Sequence, residues 1–129
     1  MKWDESYATG VKEIDDQHKM LFETTEVYRD VLAEGDGKTS YPGFLEFLAA
    51  YVEIHFAVEE ECMLAHKCPF AGKNKAEHKQ FMVAVRNEET AFQELGFEIG
   101  RVLKLLDLIE NWLDSHIRRI DVHLNDCVN

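Results

Sequence analysis

The sequence predicts an all-α protein, an antiparallel up-down-up-down bundle of four helices, on the basis of three observations. Apolar residues recur at the three- and four-residue intervals of an α-helix through four long segments. The 129 residues include only seven Gly and two Pro, so few positions interrupt a helix. The interruptions that remain are short, and short connections make consecutive helices antiparallel neighbours.

The first helix is predicted over residues 11–34, because the sequence GDG at residues 35–37 is a typical helix end. The second is predicted to begin near residues 40–42, where proline suits a first helical turn, and to end around residues 67–69. The apolar or inward-facing stripes are Ile14, His18, Leu21, Phe22 and Thr25 in the first helix, and Leu45, Leu48, Val52 and Phe56 in the second.

The third helix is predicted over residues 70–95, with Gly96 ending it, and the fourth over residues 98–124. Each of the four helices would be about 30 to 40 Å long at the rise of an α-helix. Because no repeat or linker divides the chain, residues 1–129 are predicted to form a single domain.

The composition excludes several classes of partner and location. A net charge of −11 argues against nucleic acid and anionic membranes, whose phosphates would repel the protein. The chain shows no signal-peptide pattern and no membrane-spanning apolar run, so we expect a cytoplasmic protein. Cys62, Cys68 and Cys127 form no CxxC pair, which predicts three reduced thiols.

Two helices carry pairs of metal-ligand residues at a spacing of four. His55 and Glu59 have this spacing in the second helix, and Asn74 and His78 have it in the third. Residues four apart lie on one face of a helix, one turn from each other. Such side chains are costly to bury alone and become favourable when they coordinate a metal.

His116 and Asp121 form a weaker pair in the fourth helix. They are five residues apart, about 140° around a regular helix. Asp121 can point inward only if the last turns of this helix tighten or bend.

The antiparallel arrangement brings one histidine from each of the four helices to a common layer. His18 and His78 lie early in the first and third helices, whereas His55 and His116 lie in the later halves of the second and fourth. Early positions on odd helices and late positions on even helices meet at a common height in such a bundle. Each histidine taken singly is more often an ordinary core residue, but a shared layer favours a metal site.

Three other features of the sequence bear on this site. Glu59 belongs to the run of glutamates at residues 59–61, which taken alone is also typical of a solvated helix face. His123 lies about 200° around the helix from Asp121 and is expected to face outward. His66 shares a face with Glu59 but lies about 10 Å further along the axis, too far to join the site.

Five motifs in order along the chain carry a family resemblance: Trp3, then IDDQHKMLF, HFAVEE, KAEHKQF and WLDSHIRRID. Together they resemble the hemerythrin family, and most closely the bacteriohemerythrins. The resemblance covers nearly the whole chain and implies a four-helix bundle that holds two non-haem iron ions.

The resemblance also implies a role for each motif residue. The two irons would be bridged by an oxo or hydroxo group and by two carboxylates. The ligands would be His18 and His55 at the iron that stays open to dioxygen, His78 and His116 at the other iron, and Glu59 and Asp121 as the bridges.

One position departs from the family pattern. The family usually has HxxxH in the third helix, and this chain has Asn74 in place of the first histidine. We expect solvent at the vacant position, with Asn74 as its hydrogen-bond partner; a weak amide ligand and a mere surface substitution are the alternatives. The lost imidazole predicts a centre that autoxidises readily and admits small anions.

The leading functional prediction is therefore an oxygen- or redox-sensing diiron domain that is not itself an enzyme. Domains of this family are often joined to signalling outputs such as diguanylate cyclases, so residues 1–129 are interpreted as the sensory part of a longer protein. The alternatives are a stand-alone oxygen carrier or store, a diiron enzyme, and a metal-free interaction bundle. An enzyme is disfavoured because the ligands lack the paired ExxH motifs of ferritin-like diiron sites.

Overall fold

A computed structural model describes residues 1–128 of the protein. Four long helices make up most of these residues. They are α1 (Lys12–Ala33), α2 (Gly37–Ala65), α3 (Ala71–Leu95) and α4 (Ile99–Arg119), and a short α5 (Leu124–Val128) follows them. Two 3₁₀ turns, Glu5–Tyr7 and Asp121–His123, flank the bundle at its N- and C-terminal sides. Helix α1 packs on α2, α2 on α3, α3 on α4 and α4 on α1, so the predicted four-helix bundle is confirmed.

Helix α2 begins earlier than the sequence suggested. Gly35 adopts a left-handed backbone with φ of 91°, which reverses the chain within the GDG segment and lets α2 start at Gly37. The hydroxyl of Tyr28 donates to the carbonyl of Gly37 and fixes this start. Pro42 therefore lies inside the second turn of α2. Because proline has no backbone N–H, the carbonyl of Lys38, four positions earlier, loses its helical hydrogen bond, and Lys38 is exposed.

Two apolar clusters fill the interior, and a polar layer lies between them. The larger cluster includes Phe22, Leu48 and Leu106, and the smaller one contains Ile14, Met63 and Ile120. Along each contributing helix, the buried histidines and acids come at the junction of the two clusters. The bundle thus encloses its polar groups within apolar packing from both ends.

The cysteines differ from the prediction of three reduced thiols. Cys68 and Cys127 are joined by a disulfide across 59 residues, and Cys62 is free. The sequence did not reveal the pair because α5 meets the α2–α3 connection only in the folded bundle. Disulfides are typical of oxidising compartments, so the cytoplasmic location remains a prediction.

Among residues 1–128, no helix combines the length and apolar composition needed to cross a bilayer.

Candidate metal centre

The six predicted ligands converge on one buried layer of the bundle. Each of these side chains is at most 2% exposed, although all are polar or ionisable. They are His18 from α1, His55 and Glu59 from α2, His78 from α3, His116 from α4, and Asp121 from the 3₁₀ turn after α4.

Helices α1 and α2 supply one side of the layer. His18 lies one turn after Ile14 and faces inward with it, which brings its Nε2 to 3.2 Å from Oε2 of Glu59. The spacing of four in α2 brings Nε2 of His55 to 3.4 Å from the same oxygen. His18 and His55 therefore share one carboxylate oxygen.

The end of α4 explains how Asp121 reaches the interior. Helix α4 stops at Arg119, Ile120 takes φ −117° and ψ −62°, and a 3₁₀ turn begins at Asp121. This break supplies the change of direction that the spacing of five from His116 required. As a result, Oδ1 of Asp121 lies 3.1 Å from Nε2 of His116.

Both carboxylates divide their oxygens between the two sides of the layer. Glu59 turns Oε2 to His18 and His55, and turns Oε1 to His78 at 2.9 Å. Asp121 turns Oδ2 to His18 at 3.2 Å and Oδ1 to His116 at 3.1 Å. A carboxylate that offers one oxygen to each of two ligand pairs has the arrangement needed to bridge two cations.

Two overlapping donor groups result, and in each the ligand atoms lie within 4.8 Å of one another. We call them the first position and the second position. The first position consists of His18, His55 and Glu59, and the second of Glu59, His78, His116 and Asp121.

Asn74 lies against the second position. Its side chain is fully buried, so the interpretation of Asn74 as a surface substitution is wrong. The inner end of its amide lies 2.8 Å from Nε2 of His116 and 2.9 Å from Nε2 of His78. With its nitrogen inward, the amide also donates to Oε1 of Glu59 at 3.0 Å and to Oδ1 of Asp121 at 3.3 Å. With its oxygen inward, the same amide offers a neutral ligand to a cation.

The charges of the layer suit a cation. Burial alone would lower the pKa of His18 and of His116, but the carboxylates of Asp121 and Glu59 outweigh it and raise these pKa values to about 9 and about 10. Burial lowers the pKa of His55. Burial would raise the pKa of Glu59, yet the surrounding histidines hold it well below its usual range. The Glu59 carboxylate is therefore ionised, and protons on His18 and His116 supply the positive charge that a metal would otherwise supply.

A buried oxygen without a hydrogen bond supports the same fit. Oε2 of Glu59 has no hydrogen-bond partner, although two imidazole nitrogens lie near it. Leaving such an atom unsatisfied inside a protein is unfavourable. Coordination of a cation between Glu59 and the first-position histidines would satisfy it, and imidazole with carboxylate is a ligand set that iron accepts.

Three of the four histidines also have a partner on the ring nitrogen that points away from the centre. Nδ1 of His55 lies 2.6 Å from Oε1 of Gln17, and Nδ1 of His78 lies 2.9 Å from Oε2 of Glu60. An Nδ1–H that donates to these oxygens leaves Nε2 free for a metal. Nδ1 of His18, by contrast, is buried without a hydrogen-bond partner.

His116 has a carboxylate partner that is itself held in place. Nδ1 of His116 lies 2.9 Å from Oε1 of Glu77, whose two oxygens accept from both terminal nitrogens of Arg119 at 2.9 and 3.1 Å. Sequence reasoning did not identify Gln17, Glu60 or Glu77. The available signal was position, because each of these residues is adjacent in the chain to a ligand.

Aromatic rings cover the imidazoles of the second position. Phe56 stacks on His78 with centroids 3.7 Å apart and an interplanar angle of 4°. Trp112 stacks on His116 at 4.2 Å and 11°. Trp112 is thus part of the wall of the centre.

The two remaining histidines lie outside the centre, as predicted. His66 is exposed, and His123 is half-buried and stacks on Phe70 with centroids 4.2 Å apart. Neither belongs to the donor groups found among residues 1–128.

Comparisons with known proteins identify relatives of this chain. Residues 9–127 match a family model described as the hemerythrin HHE cation binding domain. A bacteriohemerythrin of Pseudomonas aeruginosa is 32% identical over 98% of this chain and 80% of its own length. A hemerythrin of Siphonosoma cumanense is 27% identical over 92% of this chain and 86% of its own length.

A solved structure has a similar fold. The crystal structure of a leucine-to-phenylalanine mutant protein superimposes with a TM-score of 0.87 and 26% identity, over 99% of this chain and 96% of the other.

Proposed function

This chain belongs to the hemerythrin family of non-haem iron, oxygen-binding domains, and from that premise we propose that it holds a diiron centre that binds dioxygen and autoxidises readily. The single observation that carries the proposal is the division of both carboxylates between two histidine pairs. Two buried acids that each face both pairs are suited to two cations side by side. The ligands would be His18 and His55 for one iron, His78 and His116 for the other, and Glu59 and Asp121 as bridges.

When bound, the two irons supply the electrons that dioxygen takes up. The residues of the chain would bind and orient the ions. The first donor group has three residues and the second has four, which leaves more room for a small ligand at the first position. Phe56 and Trp112 lie flat on the imidazoles of the second position and help to fix the orientation of these rings.

Asn74 supports the finer part of the proposal, a redox-responsive centre. An amide is a poorer donor to iron than a neutral imidazole, and Asn74 stands fully buried at the second position. We expect solvent to complete this position, with the amide as its hydrogen-bond partner. Solvent and small anions then have access to both metals, and the centre loses its electrons to dioxygen faster than a five-histidine centre would.

A sensory role would follow from rapid autoxidation. The oxidation state of the centre would be the signal, and a covalently attached output such as a diguanylate cyclase would be the receiver. This domain itself is proposed not to be an enzyme, because its ligand set lacks the paired ExxH motifs of ferritin-like diiron enzymes.

A stand-alone oxygen carrier or store is the second candidate, and the relatives favour it. This chain covers 94% of a bacteriohemerythrin of Clostridium acetobutylicum and 86% of the Siphonosoma hemerythrin, so those relatives are close to this domain in size. A carrier requires reversible binding and a long-lived oxygenated form. The two candidates therefore differ in the rate of autoxidation.

Stopped-flow mixing of the diferrous protein with dioxygen separates them. The expected result is a short-lived oxygenated spectrum that decays to the oxidised form, and slower decay in Asn74→His. The matched control is Asn87→His, since Asn87 is exposed on the same helix. A stable oxygenated spectrum that reverses under vacuum would favour the carrier and exclude the sensor.

Metal analysis tests the shared premise. Protein grown with ample iron is expected to contain two irons per chain and to show the charge-transfer bands of an oxo-bridged pair when oxidised. Metal-free protein under those conditions would contradict both candidates.

A further inference from the structure

The hydrogen-bond partners at Nδ1 of the imidazoles differ between the two positions, and Nδ1 of His18 has none. At the second position, both histidines face a carboxylate: Glu60 for His78 and Glu77 for His116, each at 2.9 Å. At the first position, the partner of His55 is the neutral amide of Gln17. Among these three Nδ1 partners, both carboxylates therefore lie beside the position that has lost an imidazole.

Both acids are sheltered enough for their hydrogen bonds to matter. The side chain of Glu60 is 25% exposed and that of Glu77 is 15% exposed, while their histidine partners are at most 2% exposed. Partly desolvated hydrogen bonds to an ionised group are stronger than those between neutral groups. These contacts are therefore well placed to polarise the imidazoles.

Glu77 is also fixed in orientation. The guanidinium of Arg119 binds both of its oxygens, and Oε1 accepts from Arg119 and from His116 at once. Paired hydrogen bonds of this kind hold a carboxylate in one geometry. Arg119 thus acts on the second position through two intermediates, Glu77 and His116.

An Nδ1–H that donates to a carboxylate shifts electron density into the ring and makes Nε2 a stronger donor to a metal. We propose that Glu60 and Glu77, the latter held by Arg119, are positioning residues that strengthen both imidazoles at the second position. In this way they offset the loss of donor strength at Asn74 and let that position retain its ion. This inference rests on the proposed diiron centre and adds the control of its second position.

The test is an anaerobic titration of the protein with Co²⁺ in competition with a chromophoric chelator. The variants are Glu77→Gln and Glu60→Gln, which keep the shape of the side chain and remove its charge. Each variant is expected to lower the affinity for one of the two Co²⁺ ions by about 10- to 100-fold. The affinity for the other ion is expected to change by less than about 3-fold. Glu53→Gln is the matched control, because Glu53 is exposed on α2 and the same charge is lost there.

A reciprocal variant addresses the first position. Gln17→Glu places a carboxylate beside His55. We expect it to raise the affinity for the Co²⁺ ion at the first position by up to about 10-fold. Arg119→Ala is expected to lower the affinity for the Co²⁺ ion at the second position, by a smaller factor than Glu77→Gln does. Arg119→Lys is expected to restore most of that affinity.

A spectroscopic readout separates this role from general destabilisation. In the Co²⁺ protein, the exchangeable N–H protons of the coordinated imidazoles give strongly shifted NMR signals. Glu77→Gln is expected to move one of these signals and Glu60→Gln another, and Glu53→Gln none. In the iron protein, both glutamine variants should raise the midpoint potential, because an anionic partner stabilises the more positive, oxidised metal.

The outcomes distinguish this inference from the proposed function. If the unaltered protein fails to bind two Co²⁺ ions, the diiron centre fails and this inference fails with it. If it binds two, but Glu77→Gln and Glu60→Gln lose no more affinity than Glu53→Gln, this inference alone is overturned. Equal weakening of both ions would also overturn it. Circular dichroism of the metal-free variants verifies folding, and either glutamine variant suffices if the other does not fold.

Discussion

Single atoms define the centre more sharply than residue types do. Glu59 and Asp121 each present one oxygen to each histidine pair, and a shift of either side chain by one rotamer would break this division. Glu59 is the more demanding of the two residues, because it is fully buried and common to both donor groups. Its charge is therefore central to both positions.

Replacing that charge gives a prediction at the residue scale. In the proposed diiron centre, Glu59→Gln keeps the shape of the side chain but removes the negative charge that would balance the two cations, so iron content is expected to fall from two to less than one per chain. Elemental analysis of purified protein measures this. Glu61→Gln on the exposed face of α2 is the control and should keep both irons. A Glu59→Gln protein with full iron content would show that Glu59 is not a bridge.

The ends of the helices decide which side chains reach the centre. Helix α4 ends at Arg119, and the change to a 3₁₀ turn carries Asp121 inward. A regular helix continued to residue 124 would have left this carboxylate about 140° away from His116. The helix terminus is therefore part of the construction of the site.

The start of α4 yields a prediction at the element scale. The carboxylate of Glu98 accepts from the backbone N–H groups of Gly100 and Arg101, at 3.0 and 2.8 Å, and caps the helix. These hydrogen bonds lower the pKa of Glu98. Its stabilising effect is therefore present above the ordinary carboxyl pKa and is lost as the pH falls through the lowered value.

Glu98→Ala is expected to lower the thermal midpoint at pH 7 and to lower it less near pH 3, where more of the Glu98 carboxyl is protonated. Thermal unfolding followed by circular dichroism at both pH values measures the difference. Glu94→Ala, at an exposed position near the end of α3, is the control. An equal loss at both pH values would mean that the charge of Glu98 does not stabilise the helix start.

At the scale of the whole molecule, the disulfide ties together elements that are distant in sequence. Cys68 lies just after α2, and Cys127 lies in α5, six residues after Asp121. Both sulfurs belong to the smaller apolar cluster, which closes the bundle next to the polar layer. The bond therefore fastens the segment that follows the Asp121 turn.

A crosslink across 59 residues restricts the unfolded chain. In the chain-entropy model, a loop of this length contributes about 4 kcal/mol to the free energy of unfolding. We expect a reductant to remove about that amount in urea unfolding experiments, and Cys68→Ser to be insensitive to the reductant. Cys62→Ser should respond to it as the unaltered protein does. Identical unfolding midpoints with and without reductant would refute the stabilising role.

The sequence by itself determined the four helices, the inward direction of the histidines and their common layer. These features depend on the period of the helix and on the length of the connections, which are local properties. The inward position of Asp121 followed only conditionally, since the spacing of five required a bend that the pattern did not supply.

Only the tertiary structure decided the features that depend on how the helices pack. The start of α2 depends on Tyr28 of α1, the disulfide depends on the docking of α5, and the partner of His116 lies on α3. The burial of Asn74 against His116 has the same origin. Contacts between helices depend on their rotation and register, and these are set by the packing of the whole core.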